Sequence, residues 1–266
     1  MSFRNGVAYA DSRRLPTPSS VYVRGLACHP LLPDLAEDLE TRPRGVIAQC
    51  AEKRAMLESL LRCFQKYGAR LVNSLEANAQ HSQKPFQLTL LQSAGLPVPQ
   101  WLATNNPEAV REFARHVRHA VYKPLAGGAT VRKLEKRDLS TKRLSALAAA
   151  PVLFQELVEG TSIRAYVVGR RVVAAAAIDS TELDYRRKED AVTPARLTPR
   201  ERHAALTAAR VCGMHFTGVD LIRSQKRFVV LECNPSPMFA VFEEKTGLDV
   251  AGPLADFLIR PRRRAS

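Results

Sequence analysis

The stretch that decides the fold is Gly218-Val219-Asp220-Leu221-Ile222, followed after a short polar turn by Phe228-Val229-Val230-Leu231-Glu232-Cys233-Asn234. Two apolar, β-branched runs around a turn predict an antiparallel hairpin. Its interest lies in the exceptions to that apolar pattern. One strand carries Asp220, the other Glu232 and Asn234. Acids set into apolar strands are costly unless a cation or hydrogen bonds compensate them. Two carboxylates and an amide oxygen at neighbouring strand ends make a hard oxygen site suited to Mg²⁺. Polar hairpin ends facing water fit the same residues. With no cation bound, Asp220 and Glu232 are expected to repel one another, so that loss of either would stabilise the ligand-free protein.

Working outward, residues 164–168 and 172–178 around Gly169-Arg170 predict a second hairpin, and 152–157 a buried strand. Residues 120–123 predict a strand running into the loop Ala126-Gly127-Gly128-Ala129-Thr130. Thr198-Pro199-Arg200-Glu201 is a capping box that opens a helix to about Cys212. Asn106-Pro107 opens a helix over 107–119, and further helices are expected over 82–94, 49–67 and about 250–259. Short strands are expected at 20–24 and 70–73, with the rest of 1–45 irregular. Strands arriving as hairpins between helices favour an antiparallel α+β fold over a doubly wound parallel sheet.

Composition narrows the class of protein. The chain has 266 residues with 45% hydrophobic and 25% charged, which excludes a mainly disordered or fibrous chain. The net charge of +14 suits an anionic partner. Part of it is local, in Arg260-Pro261-Arg262-Arg263-Arg264 and in the run 132–143, either of which serves as a solvated face or as a contact for nucleic acid or acidic protein. The five cysteines, at 28, 50, 63, 212 and 233, form no CxxC pair, which argues against a disulfide framework or structural zinc. No run of 18 apolar residues and no signal-peptide core is present, so a soluble, cytoplasmic chain without a membrane partner is expected. Walker A, GxGxxG, HExxH and GxSxG patterns are all absent. Lys123 beside Gly127-Gly128 could hold a phosphate, since glycines admit backbone amides close to an anion, although a plain surface turn fits the same residues.

Taken together, Lys84, Val121-Tyr122-Lys123-Pro124 with Gly127-Gly128, Phe154-Gln155-Glu156-Leu157-Val158-Glu159-Gly160, Ile163-Arg164, Asp184-Tyr185-Arg186, Gly218-Val219-Asp220 and Glu232-Cys233-Asn234-Pro235-Ser236-Pro237 follow the order seen in ATP-grasp ligases. Gly95-Leu96-Pro97-Val98-Pro99 and residues 243–251 add to the likeness. The chain most resembles the RimK-like branch, which includes ribosomal-protein glutamate ligases and graspetide maturases. The likeness runs over roughly 70–260.

That resemblance implies an ATP-grasp fold in which two α+β subdomains clasp ATP. The implied division is a shortened N-terminal region over 1–80, an ATP-grasp domain over 81–260 (central subdomain about 103–157, C-terminal subdomain about 158–260) and a basic tail over 261–266. It implies that Lys84, Lys123, Gly127 and Gly128 meet the nucleotide phosphates, that Gln155, Glu156 and Leu157 meet adenine, and that Glu159 meets the ribose. Asp220, Glu232 and Asn234 would hold two Mg²⁺ ions, with Mn²⁺ as an alternative, and Arg164 and Arg186 would face the transferred phosphoryl group. The implied reaction forms an amide bond through an acylphosphate.

Two departures bear on substrate. Ser162 stands where an acid often precedes the arginine, and Arg187-Lys188-Glu189 replaces the Arg-x-Asn of the glutamate ligases. The expected substrate is an acidic peptide or protein, with an added small amino acid open. A small-molecule amino-acid ligase and a phosphotransferase on the same scaffold are the alternatives. Nucleic acid is not expected as a partner, and a homo-oligomer is compatible with the sequence.

Overall fold

A computed structural model of the chain describes residues 2–26, 33–126, 130–179 and 191–259. Contacts divide the chain into two units, Met1–Leu75 with Asp256–Ser266, and Glu76–Ala255.

The first unit opens with β1 (Ser2–Arg4), β2 (Val7–Ala10) and β3 (Arg13–Arg14), an antiparallel three-stranded sheet. This overturns the expectation of irregular chain outside residues 20–24. Asn5 and Gly6, both at positive φ, form the two-residue turn that Asn-Gly favours between strands, and Asp11-Ser12 repeats the device. Next, β4 (Ser20–Tyr22) lies parallel to β5 (Arg70–Val72), with α1 (Ala36–Thr41) and α2 (Pro43–Lys66) between them in sequence. The expected helix over 49–67 thus begins six residues early. Pro43 starts it, and the burial of Val46 and Cys50 outweighs the cost of Gly45 inside it. Val23, Leu61, Leu71 and Leu75 form this unit's core. Ser20 Oγ and the Arg70 guanidinium both donate to the carbonyl of Leu258, and Arg70 also lies over the Phe257 ring at 4.3 Å.

The second unit holds two antiparallel sheets. Its first elements are α3 (Leu75–Ala79), α4 (Lys84–Ser93), β6 (Trp101–Thr104), α5 (Pro107–His116), β7 (Ala120–Pro124), β8 (Arg132–Lys133), α6 (Thr141–Leu144) and β9 (Val152–Glu156). The four strands order as β6-β9-β7-β8. Asn106 Oδ1 accepts from the Glu108 N–H at 2.9 Å to cap α5, whose Val110 packs with Leu144, Leu147 and Phe154.

The second sheet comprises β10 (Thr161–Val168), β11 (Arg171–Asp179), β12 (Ala191–Pro194), then after α7 (Pro199–Val211) β13 (Phe216–Arg223) and β14 (Phe228–Asn234), ordered β12-β11-β10-β13-β14. The capping box at Thr198 and Glu201 forms as expected. Ala204, Ala205, Ala208 and Ala209 of α7 pack on Ile163, Ala165, Val167, Val219, Leu221 and Val230. Alanines let the helix approach the sheet closely. Each fully buried Val, Ile or Leu there contributes about 1.5–3 kcal/mol, so this apolar face holds the sheet and frees the other for polar residues. Gly160, before β10, is required by a close approach: a Cβ there would lie 2.3 Å from the Arg223 carbonyl oxygen. The last elements among the described residues are α8 (Ala240–Thr246) and α9 (Ala251–Ile259). The mixed, antiparallel α+β class read from the sequence is the class observed.

Candidate functional site

Side chains alternate between the two faces of a strand, so the residues opposite the α7 face of the second sheet form rows. One row is Arg164, Asp220 and Glu232, aligned across β10, β13 and β14, and the next is Tyr166, Gly218 and Asn234. Strict alternation would put Val230 and Glu232 on the same face. A bulge prevents this: Val230 pairs with Leu221 and Glu232 with Asp220, leaving Leu231 as the extra residue. Val230 and Cys233 therefore enter the apolar core while Glu232 joins Asp220 on the polar face.

On that face every acid has a basic partner. Arg164 donates from Nε to Asp220 Oδ1 at 2.7 Å and from Nη2 to Oδ2 at 2.8 Å, a two-bond clamp. Glu232 Oε2 accepts from Lys84 Nζ at 2.9 Å and from Lys123 Nζ at 3.3 Å. Lys84 is the first residue of α4 and Lys123 lies in β7, so two further elements converge on β14. All five side chains are at least four-fifths buried. This corrects the expected repulsion between Asp220 and Glu232: three cations surround the two carboxylates, and removing an acid uncovers a buried cation instead of relieving strain. Asn234 Oδ1 accepts from the Ser236 N–H at 3.3 Å, shaping the turn that follows. Gly218 makes room at the same spot, where a Cβ would lie 3.0 Å from Pro237 and 3.5 Å from Arg164.

Gln155 is buried in β9, and its Nε2 has no hydrogen-bond partner among the described residues. Glu156 is engaged by protein groups: Oε1 accepts from Arg227 at 2.6 Å, and Oε2 from the Gln100 N–H at 3.3 Å. The N–H groups of Glu156 and Leu157 donate to the carbonyls of Gln100 and His119, both at 2.8 Å. Glu159 is exposed. Gly127, Gly128 and Arg186 lie outside the described residues.

Sequence reasoning passed over Gln87. It sits three residues after Lys84, on the same face of α4, and exchanges two hydrogen bonds with the Cys233 backbone. The Lys84-x-x-Gln87 spacing was its only signal. A bond to Cys212 and burial push the Cys233 thiol well above the ordinary cysteine value, and the charges of Asp220 and Glu232 add to this. Cys233 is therefore a neutral core residue and no nucleophile.

The donor set is consistent with a magnesium nucleotide. Carboxylates and an amide oxygen suit a hard cation, and lysines and an arginine suit phosphate. The unpartnered Gln155 Nε2 fits a ligand that offers an acceptor. Among the described residues no helix is long and apolar enough to cross a membrane.

Comparison with known proteins agrees with this chemistry. The family model described as a RimK-like ATP-grasp domain matches residues 81–258. A relative from Thioalkalivibrio sulfidiphilus named "Probable alpha-L-glutamate ligase" is 33% identical over 220 residues, covering 77% of this chain and 73% of the relative. The solved structure of the ATP-grasp ligase PsnB, complexed with a phosphomimetic variant of a minimal precursor, Mg and ADP, superposes with a TM-score of 0.85 at 36% identity, covering 95% of this chain and 85% of that one. The macrocyclase MdnC from Microcystis aeruginosa, bound with the precursor peptide MdnA, has a TM-score of 0.79 at 22% identity, covering 96% and 83%, and bears on the fold alone.

Proposed function

The chain belongs to the RimK-like ATP-grasp family and is an ATP-dependent ligase that uses Mg²⁺, and from that premise we propose that it forms an amide bond on an acidic peptide or protein. The observation that carries the peptide reading is the likeness, over nearly the whole chain, to PsnB, whose structures contain a precursor. The net charge of +14 supports it, because a basic surface attracts an acidic acceptor over long range.

In this reading Lys84 and Lys123 hold the nucleotide phosphates with Gly127 and Gly128. Asp220, Glu232 and Asn234 hold Mg²⁺, as two ions, with Mn²⁺ able to substitute. Gln155, Glu156 and Leu157 line the base, and Glu159 reaches the ribose. Arg164 and Arg186 attract the transferred group and the acceptor carboxylate. Bound ATP supplies the phosphoryl group that lets phosphate, instead of hydroxide, leave the carboxyl carbon. The ion pairs of the site prepare it for this. A phosphate offers Lys84 and Lys123 another anion, and a metal ion takes the place of the two lysines at Glu232, so binding exchanges partners without leaving a buried charge uncompensated. We divide the chain into an N-terminal region over 1–80, the ATP-grasp domain over 81–260 and a basic tail over 261–266, and place the reaction in the cytoplasm, where ATP is abundant.

A second reading, addition of a free amino acid, is favoured by the names of the relatives, probable alpha-L-glutamate ligases. ADP release separates the two. The peptide reading expects an acidic peptide to stimulate release more than free glutamate does, with the stimulation weakening toward ~0.3 M salt as charges are screened. Stimulation by free amino acids alone would replace it with the second reading.

A further inference from the structure

Strand β14 is an edge of its sheet, so alternate backbone groups along it face away from β13 and need partners. Two elements supply them. Past α4, the Pro97 carbonyl accepts from the Val230 N–H at 2.7 Å. Within α4, Gln87 Nε2 donates to the Cys233 carbonyl at 2.9 Å, while Gln87 Oε1 accepts from the Cys233 N–H at 2.8 Å. The Gln87 carboxamide thus occupies the place that a residue of a sixth strand would take. It is 2% exposed, so both bonds are made away from water.

One helical turn earlier, Lys84 of the same face reaches Glu232, the residue before Cys233. The helix is therefore tied to adjacent residues of β14, through a backbone clamp at Cys233 and an ion pair at Glu232. A lysine carries four rotatable bonds and by itself fixes no helix register. The rigid amide-to-backbone clamp does. Resting on the proposed site, we infer that Gln87 is a positioning residue: it sets the register of α4 on β14 and so holds Lys84 Nζ and the Glu232 carboxylate where a magnesium nucleotide meets them. It acts through Lys84, without touching the nucleotide.

The test is a double-mutant cycle read by calorimetric binding of Mg·ADP to the full chain, with thermal unfolding alongside. Gln87→Met keeps the side-chain volume and removes both hydrogen bonds, and should weaken Mg·ADP binding about tenfold, as loss of a supporting partner commonly does. Gln87→Asn keeps the carboxamide on a stem one methylene shorter and should lose less than Gln87→Met does, and it carries the cycle if Gln87→Met does not fold. In a Lys84→Met background, the Gln87 substitution should weaken binding by less than about twofold further, because its effect runs through the missing lysine. Wild-type affinity in a Gln87 variant that merely unfolds at lower temperature would make Gln87 structural and overturn the inference. So would losses that multiply in the double variant. Wild-type affinity in Lys84→Met alone would instead remove the nucleotide-site reading on which the inference stands.

Discussion

Arg164 and Asp220, 56 residues apart in the chain, face each other across β10 and β13 and share two hydrogen bonds of 2.7 and 2.8 Å. Both side chains are nearly buried, at 12% and 8% exposure. Breaking such a pair from one side leaves the other charge without compensation, at a cost of about 3–5 kcal/mol. Asp220→Asn should therefore destabilise the ligand-free protein by about 3 kcal/mol or more, as well as abolish Mg²⁺-dependent ATP turnover. Denaturant unfolding without nucleotide checks the first effect; a variant more stable than wild type would restore the view that the site's acids repel one another.

Lys123 shares the Glu232 carboxylate with Lys84. In the proposed site Lys123→Met would remove a charge-assisted contact to phosphate, worth about 1.5–3 kcal/mol. Nucleotide affinity should fall about tenfold or more, at ~1.4 kcal/mol per decade. Lys142, exposed on α6, is the control, and its replacement should change little. Equal losses in calorimetric titration of the two variants would reduce Lys123 to general surface charge.

How much of this was legible depends on distance along the chain. Asp220, Glu232 and Asn234 stood out because strands that are otherwise apolar make polar exceptions visible. Their partners did not, since Lys84 and Lys123 lie 148 and 109 residues from Glu232 and nothing local couples them. That gap produced the mistaken expectation of repulsion. The bulge at Leu231 escaped notice because it follows from cross-strand register, not from the residue itself. The strands at 2–14 were missed for a different reason: they are only two to four residues long, and apart from Val7–Ala10 they hold almost no apolar residues, although Asn5-Gly6 marked the turn. Gln87 resembles any polar helix residue until the sheet edge is placed beside it.

Glu201 predicts how stability responds to acid. It is 2% exposed, caps α7 through the Thr198 N–H, and accepts two bonds from Arg223. Burial pushes its carboxyl up, but Arg223 and Thr198 more than offset this and leave it below the ordinary glutamate value. The unfolded chain thus takes up this proton first as the pH falls. The stabilisation is complete above the unfolded pKa, about 4.3, and is lost as pH drops through the folded value. Glu201→Gln should be less stable than wild type at neutral pH, by a margin that narrows in acid. A margin constant with pH in denaturant unfolding would contradict this.

Gly160 predicts a steric effect added to the backbone cost of its positive φ, +157°. A methyl group there meets the Arg223 backbone carbonyl at 2.3 Å, and backbone cannot swing aside as a flexible side chain can. Gly160→Ala should force β10 and β13 apart at that end and lower the unfolding temperature, whereas Gly68→Ala, with open space at its Cβ but a φ of +101°, should show only the smaller cost of its left-handed backbone, about 1 kcal/mol. Equal losses would contradict the close-approach argument.

The most direct test of the central claim is the intact mass of an acidic peptide after incubation with this protein, ATP and Mg²⁺. Amide formation predicts a peptide lighter by one water for each internal amide formed or, where a free amino acid is added to the mixture, heavier by that amino-acid residue, with both changes absent in Asp220→Asn. A peptide of unchanged mass while ADP accumulates, or one heavier by a phosphoryl group, would contradict it.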